Sequence, residues 1–317
     1  MLTYMIVDFH IHYTHKYNIL KEMDKAGVDV GVVVTIDADP NDVYIREVNA
    51  KFRRRFSSSQ NIFYSWDSRF MYSLSKQVSI EDWIRNFMYE AALTYPGIAV
   101  GNEELSKFVK LSSERLIGFG SVNPNKPTYY VEEKLKEIKD QGLRGVKLIP
   151  TIQFFNPSEN RNISKIFEFC ERNRLIILYH TGCDPGPFEL PELSEDANPK
   201  YLHKVLDEYG DVKLVLAHIG SYSAIRPGIW FNEALNIMKK YDNVYADISA
   251  VTDILYNDRV VKKIRETVGF EKILFGSDYP VVDGRDLLTE VENVKKSILE
   301  DHEKEEVLGL NALKLLR

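Results

Sequence analysis

The 317-residue chain holds only two cysteines, Cys170 and Cys183. That is too few for a disulfide framework or a cysteine-built zinc cluster. No run approaches the roughly 20 consecutive apolar residues that a membrane-crossing helix needs. The start, MLTYMIVDFHIH, lacks a basic segment followed by a long apolar stretch, so no signal peptide is expected. Cationic excess is missing too. The 41 Lys and Arg against 47 Asp and Glu leave a formal net charge of −6, the opposite of the basic balance that general nucleic-acid binding requires. These absences point to a cytoplasmic protein whose partner is a small molecule, with neither nucleic acid nor membrane. A homodimer stays open.

What the chain does contain is a repeated rhythm. Short runs rich in Val and Ile predict strands at 4–10, 30–36, 116–122, 144–150, 175–180, 212–218, 243–249 and 272–277. Amphipathic stretches such as PTYYVEEKLKEIKDQG (127–142) and NISKIFEFCERN (162–173) lie between them and carry apolar residues at helical spacing. Strands that are apolar almost throughout are buried on both faces, as in a parallel sheet. Eight such strand–helix units predict an α/β fold, a (β/α)8 TIM barrel over residues 1–317. Residues 40–114 break the rhythm, being too long for one crossover helix. They are expected to form a helical insertion between strands 2 and 3, over the barrel mouth, with a small independent subdomain as the competing reading. The run KFRRRF (51–56) is expected to be a solvated helix face.

Polar residues fall in a pattern. His10 and His12 are two apart on a strand and so share a face, with Asp8 on the same side by strict alternation. His180 ends LIILYH, His218 ends VKLVLAH, and Asp278 follows KILFGS. In a barrel the C-terminal strand ends converge on one face, where active sites are built. Neutral imidazoles with one carboxylate make an open site for a divalent ion, which lowers the pKa of water towards ~7. A histidine beside such a site can move protons near working pH. Asp8 and Asp247 are candidates either for orienting these histidines or for plain structural hydrogen bonds.

The motifs DFHIH, HTG, AHIG and GSDYP, in this order, resemble the amidohydrolase superfamily. More narrowly they resemble its amidohydrolase-related group of metal-dependent hydrolases and aminocarboxymuconate-semialdehyde decarboxylase. The closing LGLNALKLLR resembles that group's terminal Asn-Ala helix, and the likeness runs over 5–317 apart from the insertion. The resemblance implies one divalent metal ion, Zn2+ first and Mn2+ or Mg2+ as alternatives, held by His10, His12, His180 and Asp278. His218 and Asp278 are then the catalytic groups. The activity implied is hydrolysis of a small, carboxylated amide, lactone or ester by a metal-activated water, with non-oxidative decarboxylation as the alternative.

Lys147 sits on the fourth strand, where two-metal branches of the superfamily carry a carbamylated lysine. Three readings stay open: a buried ion-pair partner, an anchor for a substrate anion, and a carbamylated bridge to a second metal. Trp66 and Arg69 in the insertion, with Arg226 after the sixth strand, complete the substrate-binding expectations, since guanidinium groups grip carboxylates in bidentate fashion.

Overall fold

The structure, a computed structural model, describes residues 4–63, 79–94, 97–98, 100–282 and 284–317, without the side chains of 58–63 and 92–94. The expected Trp66 and Arg69 lie outside the described residues. Eight parallel strands follow one another around a barrel: β1 (Val7–His12), β2 (Val30–Val34), β3 (Leu116–Ser121), β4 (Gly145–Leu148), β5 (Ile176–Gly182), β6 (Leu214–Tyr222), β7 (Val244–Asp247) and β8 (Ile273–Leu274). The seam closes from the segment after β8 back onto β1. Phe9 N–H donates to Phe275 O (2.9 Å), and Asp278 N–H donates to His10 O (2.8 Å). The predicted TIM barrel is the observed fold.

The packing follows from the sequence pattern. Val7, Phe9, Val32, Phe119, Leu178, Val215 and Leu274 come from six strands and form a single buried cluster, which is the barrel interior. Ala312 and Leu315 of the last helix join that cluster. The opposite strand faces pack on the surrounding helices, for example Ile11 and Val33 with Met23. Helix starts are marked by side chains that accept from the first-turn amides, among them Asn18, Asn160 and Asn257, as Asn commonly does.

Two departures from simple alternation matter for the site. β8 is only two residues long, and beyond it the chain passes so close to β1 that a Cβ on Gly276 would lie 2.9 Å from His10 Cβ. The pairing of β1 with β2 shifts register between Asp8 and Ile11. Such a bulge breaks the two-residue period.

Between β2 and β3, the helices Arg46–Phe63 and Ile80–Thr94 contribute Phe52, Ile84 and Met88 to a second buried cluster, with Ile152, Phe154 and Phe188 from the loops after β4 and β5. The run KFRRRF is not simply a solvated face. Phe52 is buried in this cluster, Arg53 pairs with Glu81, and Lys51 and Arg55 both pair with Asp196.

Asp196 is 2 % exposed and also accepts from Asn156 Nδ2 at 2.9 Å. Burial alone would raise its carboxyl, but the charges of Lys51 and Arg55 outweigh that and hold it below the usual carboxylate range. A depressed folded-state value stabilises the fold above the unfolded value near pH 4 and loses that contribution as pH falls below it. Asp196→Ala is therefore expected to lower stability by about 3 kcal/mol, as breaking a buried pair does. The loss should shrink as pH falls below about 4. Urea unfolding of both proteins at neutral and acidic pH checks this, and equal midpoints at neutral pH contradict it.

Candidate metal centre

Five side chains at four strand ends aim at one place. His10 and His12 lie in β1, His180 in β5, His218 in β6, and Asp278 just past β8. All five are at most 4 % exposed. His12 Nε2 lies 3.1 Å and His10 Nε2 3.3 Å from the same oxygen, Asp278 Oδ1. Ligand atoms each about 2.1 Å from one ion, at tetrahedral or octahedral angles, stand about 3.0–3.4 Å apart. His10, His12 and Asp278 thus have the spacing of a preformed ligand group.

The partners behind the histidines fix which nitrogens are free. His10 Nδ1 faces Asp247 Oδ2 (3.1 Å) and Ser249 Oγ (2.9 Å). It therefore donates to the carboxylate and leaves Nε2 with its lone pair, the arrangement metal-binding histidines use. His218 Nδ1 lies 2.8 Å from Ser249 O, which can only accept, so His218 Nε2 is the unprotonated nitrogen. That nitrogen is 3.2 Å from His180 Nδ1, which donates to it. His180 Nε2 then keeps a lone pair and is buried without a hydrogen-bond partner; Asp184 Oδ2 is 3.2 Å away but not in hydrogen-bond geometry. A buried, unpartnered imidazole nitrogen is costly and suits a ligand position. His180 is nonetheless outside the group formed by His10, His12 and Asp278.

Charge follows burial. Removal from water, reinforced by the Lys147 ammonium, brings His10 down to about 3 and keeps it neutral. Burial also lowers His12 and His180. Lys147 is fully buried with Nζ 2.8 Å from His10 Nε2, and burial lowers it to about 8.

The backbone is strained where the chemistry is concentrated. His218 (φ 63°) and Asp278 (φ 61°) both adopt the left-handed region, which costs a non-glycine residue about 1–3 kcal/mol and persists only where surroundings over-determine it. Here His218 N–H donates to Asp247 Oδ1 (2.9 Å), and Asp278 N–H is held by His10 O. Asp247 therefore orients two histidines at once. Asp8 does not share this duty. After the register shift it accepts from the backbone of His10 and Ser277, both at 3.0 Å, so the alternation that grouped it with His10 and His12 fails at the bulge.

One pocket opens onto this group. His12, Lys147, His180, His218 and Asp278 line it together with the apolar Phe87, Met88, Ala91, Ile98, Ile149 and Ile152. Asp184 and Tyr222, which the strand-end pattern does not single out, also line it. Thr151 Oγ1 donates to Asp184, and burial raises that carboxyl to about 8. The one available signal was its position four residues beyond His180, past the end of β5.

Arg226 corrects an expectation. It is exposed and lines a different surface groove with Arg55, Glu192 and Trp230. Its backbone N–H is turned onto Ser223 Oγ (3.0 Å), which carries the side chain away from the strand-end pocket.

A family model described as Amidohydrolase matches residues 85–317, more than half of the chain. No curated protein matches. Among solved structures the chain is similar to an uncharacterised TIM-barrel protein from Bordetella bronchiseptica, with TM-score 0.66, 17% identity and 98% of both chains covered. It is also similar to 2,6-dihydroxybenzoate decarboxylase from Rhizobium (TM-score 0.61, 12% identity, 99% of both chains). A third is a probable 2-pyrone-4,6-dicarboxylic acid hydrolase from Acinetobacter baumannii (TM-score 0.60, 14% identity, 98% of both chains). At such identities these structures speak to the fold, which extends the likeness across β1 and β2, outside the family match. With the metal-spaced strand ends and the family match together, the chain belongs to the amidohydrolase family and is a metal-dependent enzyme.

Proposed function

We propose that the protein is a hydrolase of a small amide, lactone or ester, holding one divalent ion on His10, His12, His180 and Asp278, with Zn2+ as the first choice over Mn2+ and Mg2+. The ion supplies a Lewis acid and brings the pKa of water from about 15.7 down towards 7. His218 is the proton shuttle. Its Nδ1 is pinned by Ser249 O and its Nε2 is the unprotonated ring nitrogen, so it takes a proton and passes it to a leaving group once Nε2 is released from His180 Nδ1. Asp278, in the same pocket, accepts the proton from water. The apolar side chains from the helix Ile80–Thr94 cover the pocket and keep bulk water off the reacting bond, a role we extend to the 40–114 insertion as a whole.

The observation that carries this reading is the pairing of a fixed imidazole acceptor with a metal-spaced carboxylate in one pocket. Decarboxylation is favoured by a different one. The apolar residues that line the pocket along with Lys147 suit a carboxylate that leaves as neutral CO2, because loss of charge is easier where water is excluded. Zinc-loaded protein incubated with lactones, amides, esters and aromatic or enoic acids, scored for both acid release and CO2, tests the two together. Hydrolysis of any panel member is the expected result. CO2 release without hydrolysis replaces it with the second reading, and a loaded protein inert towards all of them contradicts both.

A further inference from the structure

The loop after β5 brings a carboxylate other than Asp278 to the buried nitrogen of His180. Gly182 ends β5 with φ +131°, and a Cβ there would lie 2.7 Å from Tyr222 O, so glycine lets the chain pass this close to the end of β6. Cys183 N–H then donates to Tyr222 O (2.7 Å), and Asp184 N–H donates to Phe188 O (3.3 Å). These bonds turn the chain back, and Asp184 Oδ2 comes to rest 3.2 Å from His180 Nε2.

Both groups are short of a positive partner. His180 is 3 % exposed, and its Nε2 has no hydrogen-bond partner. The Asp184 side chain is 15 % exposed. Among the described residues its one side-chain hydrogen bond comes from Thr151 Oγ1. Lys147 attracts it without pairing. A carboxylate withdrawn from water without a paired cation is costly, and so is a lone pair buried unmet. One cation touching both relieves both. Their separation suits it, since ligand atoms each about 2.1 Å from an ion stand about 3.0–3.4 Å apart. The pocket that both line has a free volume of about 30 Å3, room for one or two water-sized groups.

We propose that Asp184 is a further ligand of the ion that His180 binds, so that the ion meets two carboxylates, Asp184 and Asp278, along with the three imidazoles. This rests on the metal reading, since it needs His180 Nε2 on an ion. Five protein ligands and a water make six, and six-fold sites with carboxylates suit Mn2+, whereas Zn2+ is usually four-coordinate. Asp184 thus narrows the advantage of Zn2+ over Mn2+. Titrations of the full chain with Zn2+ and with Mn2+ against a fluorescent chelator test it, with ion content measured on the same samples. Asp184→Asn is expected to weaken Mn2+ by about 100-fold or more, beyond what losing a merely orienting partner costs, and to weaken Zn2+ by less. Thr151→Val removes only the hydroxyl that holds Asp184 Oδ2. It should weaken Mn2+ by about tenfold, again more than Zn2+, and it decides the matter should Asp184→Asn not fold. Equal losses for the two ions overturn the inference, because a displaced loop disturbs both alike. So does a second equivalent that disappears in Asp184→Asn while the first remains, because Asp184 then serves a separate ion. A wild-type chain that takes up neither ion overturns the metal reading itself, whereas an ion-binding chain indifferent to Asp184→Asn overturns this inference alone.

Discussion

Asp278→Asn is expected to lose metal and activity together. Asp278 Oδ1 is the atom that both His10 Nε2 and His12 Nε2 approach, so neutralising this carboxylate weakens the one anionic contribution to the ligand group. Loss of a partner that merely orients a ligand costs about 10–100-fold in affinity, and loss of a ligand should exceed that. The substitution is also clean. Asparagine tolerates the left-handed backbone better than most residues, so the φ of 61° at this position adds little strain. Metal titration with a fluorescent chelator competitor gives the affinity. Wild-type affinity in Asp278→Asn would remove the carboxylate from the site.

His218→Asn should separate chemistry from binding. The imidazole is oriented by Ser249 O on one side and meets His180 on the other, and it groups with His10 and Asp247 rather than with His12 and Asp278. Removing it is expected to lower turnover by about 10²–10⁴-fold, the usual contribution of a general acid–base group, while metal content stays at the wild-type level. Asparagine again accommodates the positive φ. His180→Asn is the contrast, expected to lower metal affinity as well as rate, because it removes the nitrogen that is buried without a partner. If His218→Asn sheds its metal as readily as His180→Asn, His218 is itself a ligand and the proton shuttle must be sought elsewhere.

How much of this was legible beforehand varied with the kind of signal. The barrel was, because eight near-continuous apolar runs admit few other folds, and the strand-end placement of His10, His12, His180, His218 and Asp278 could be read from where each run stopped. The grouping of Asp8 with the histidines was not, since a single inserted residue in β1 shifts every later side chain and leaves no mark in the hydrophobic pattern. Asp184 escaped because it lies beyond its strand, on a loop whose path depends on packing against Phe87 and Phe188. Arg226 misled for the converse reason. Its position after β6 suggested the pocket, but a local hydrogen bond to Ser223 turns the chain outward. The charge run KFRRRF reads as solvated by composition alone, and only the buried Asp196 more than a hundred residues later reveals it as an anchor.

Elemental analysis of protein purified without chelator reads the divalent ion at the strand ends itself. Near one equivalent of zinc or manganese per chain is predicted, falling sharply in His12→Asn, whose loss leaves the group of His10, His12 and Asp278 incomplete. Protein that carries no ion, takes up none from added Zn2+ or Mn2+, and is unchanged by His12→Asn would mean that the strand ends hold no metal.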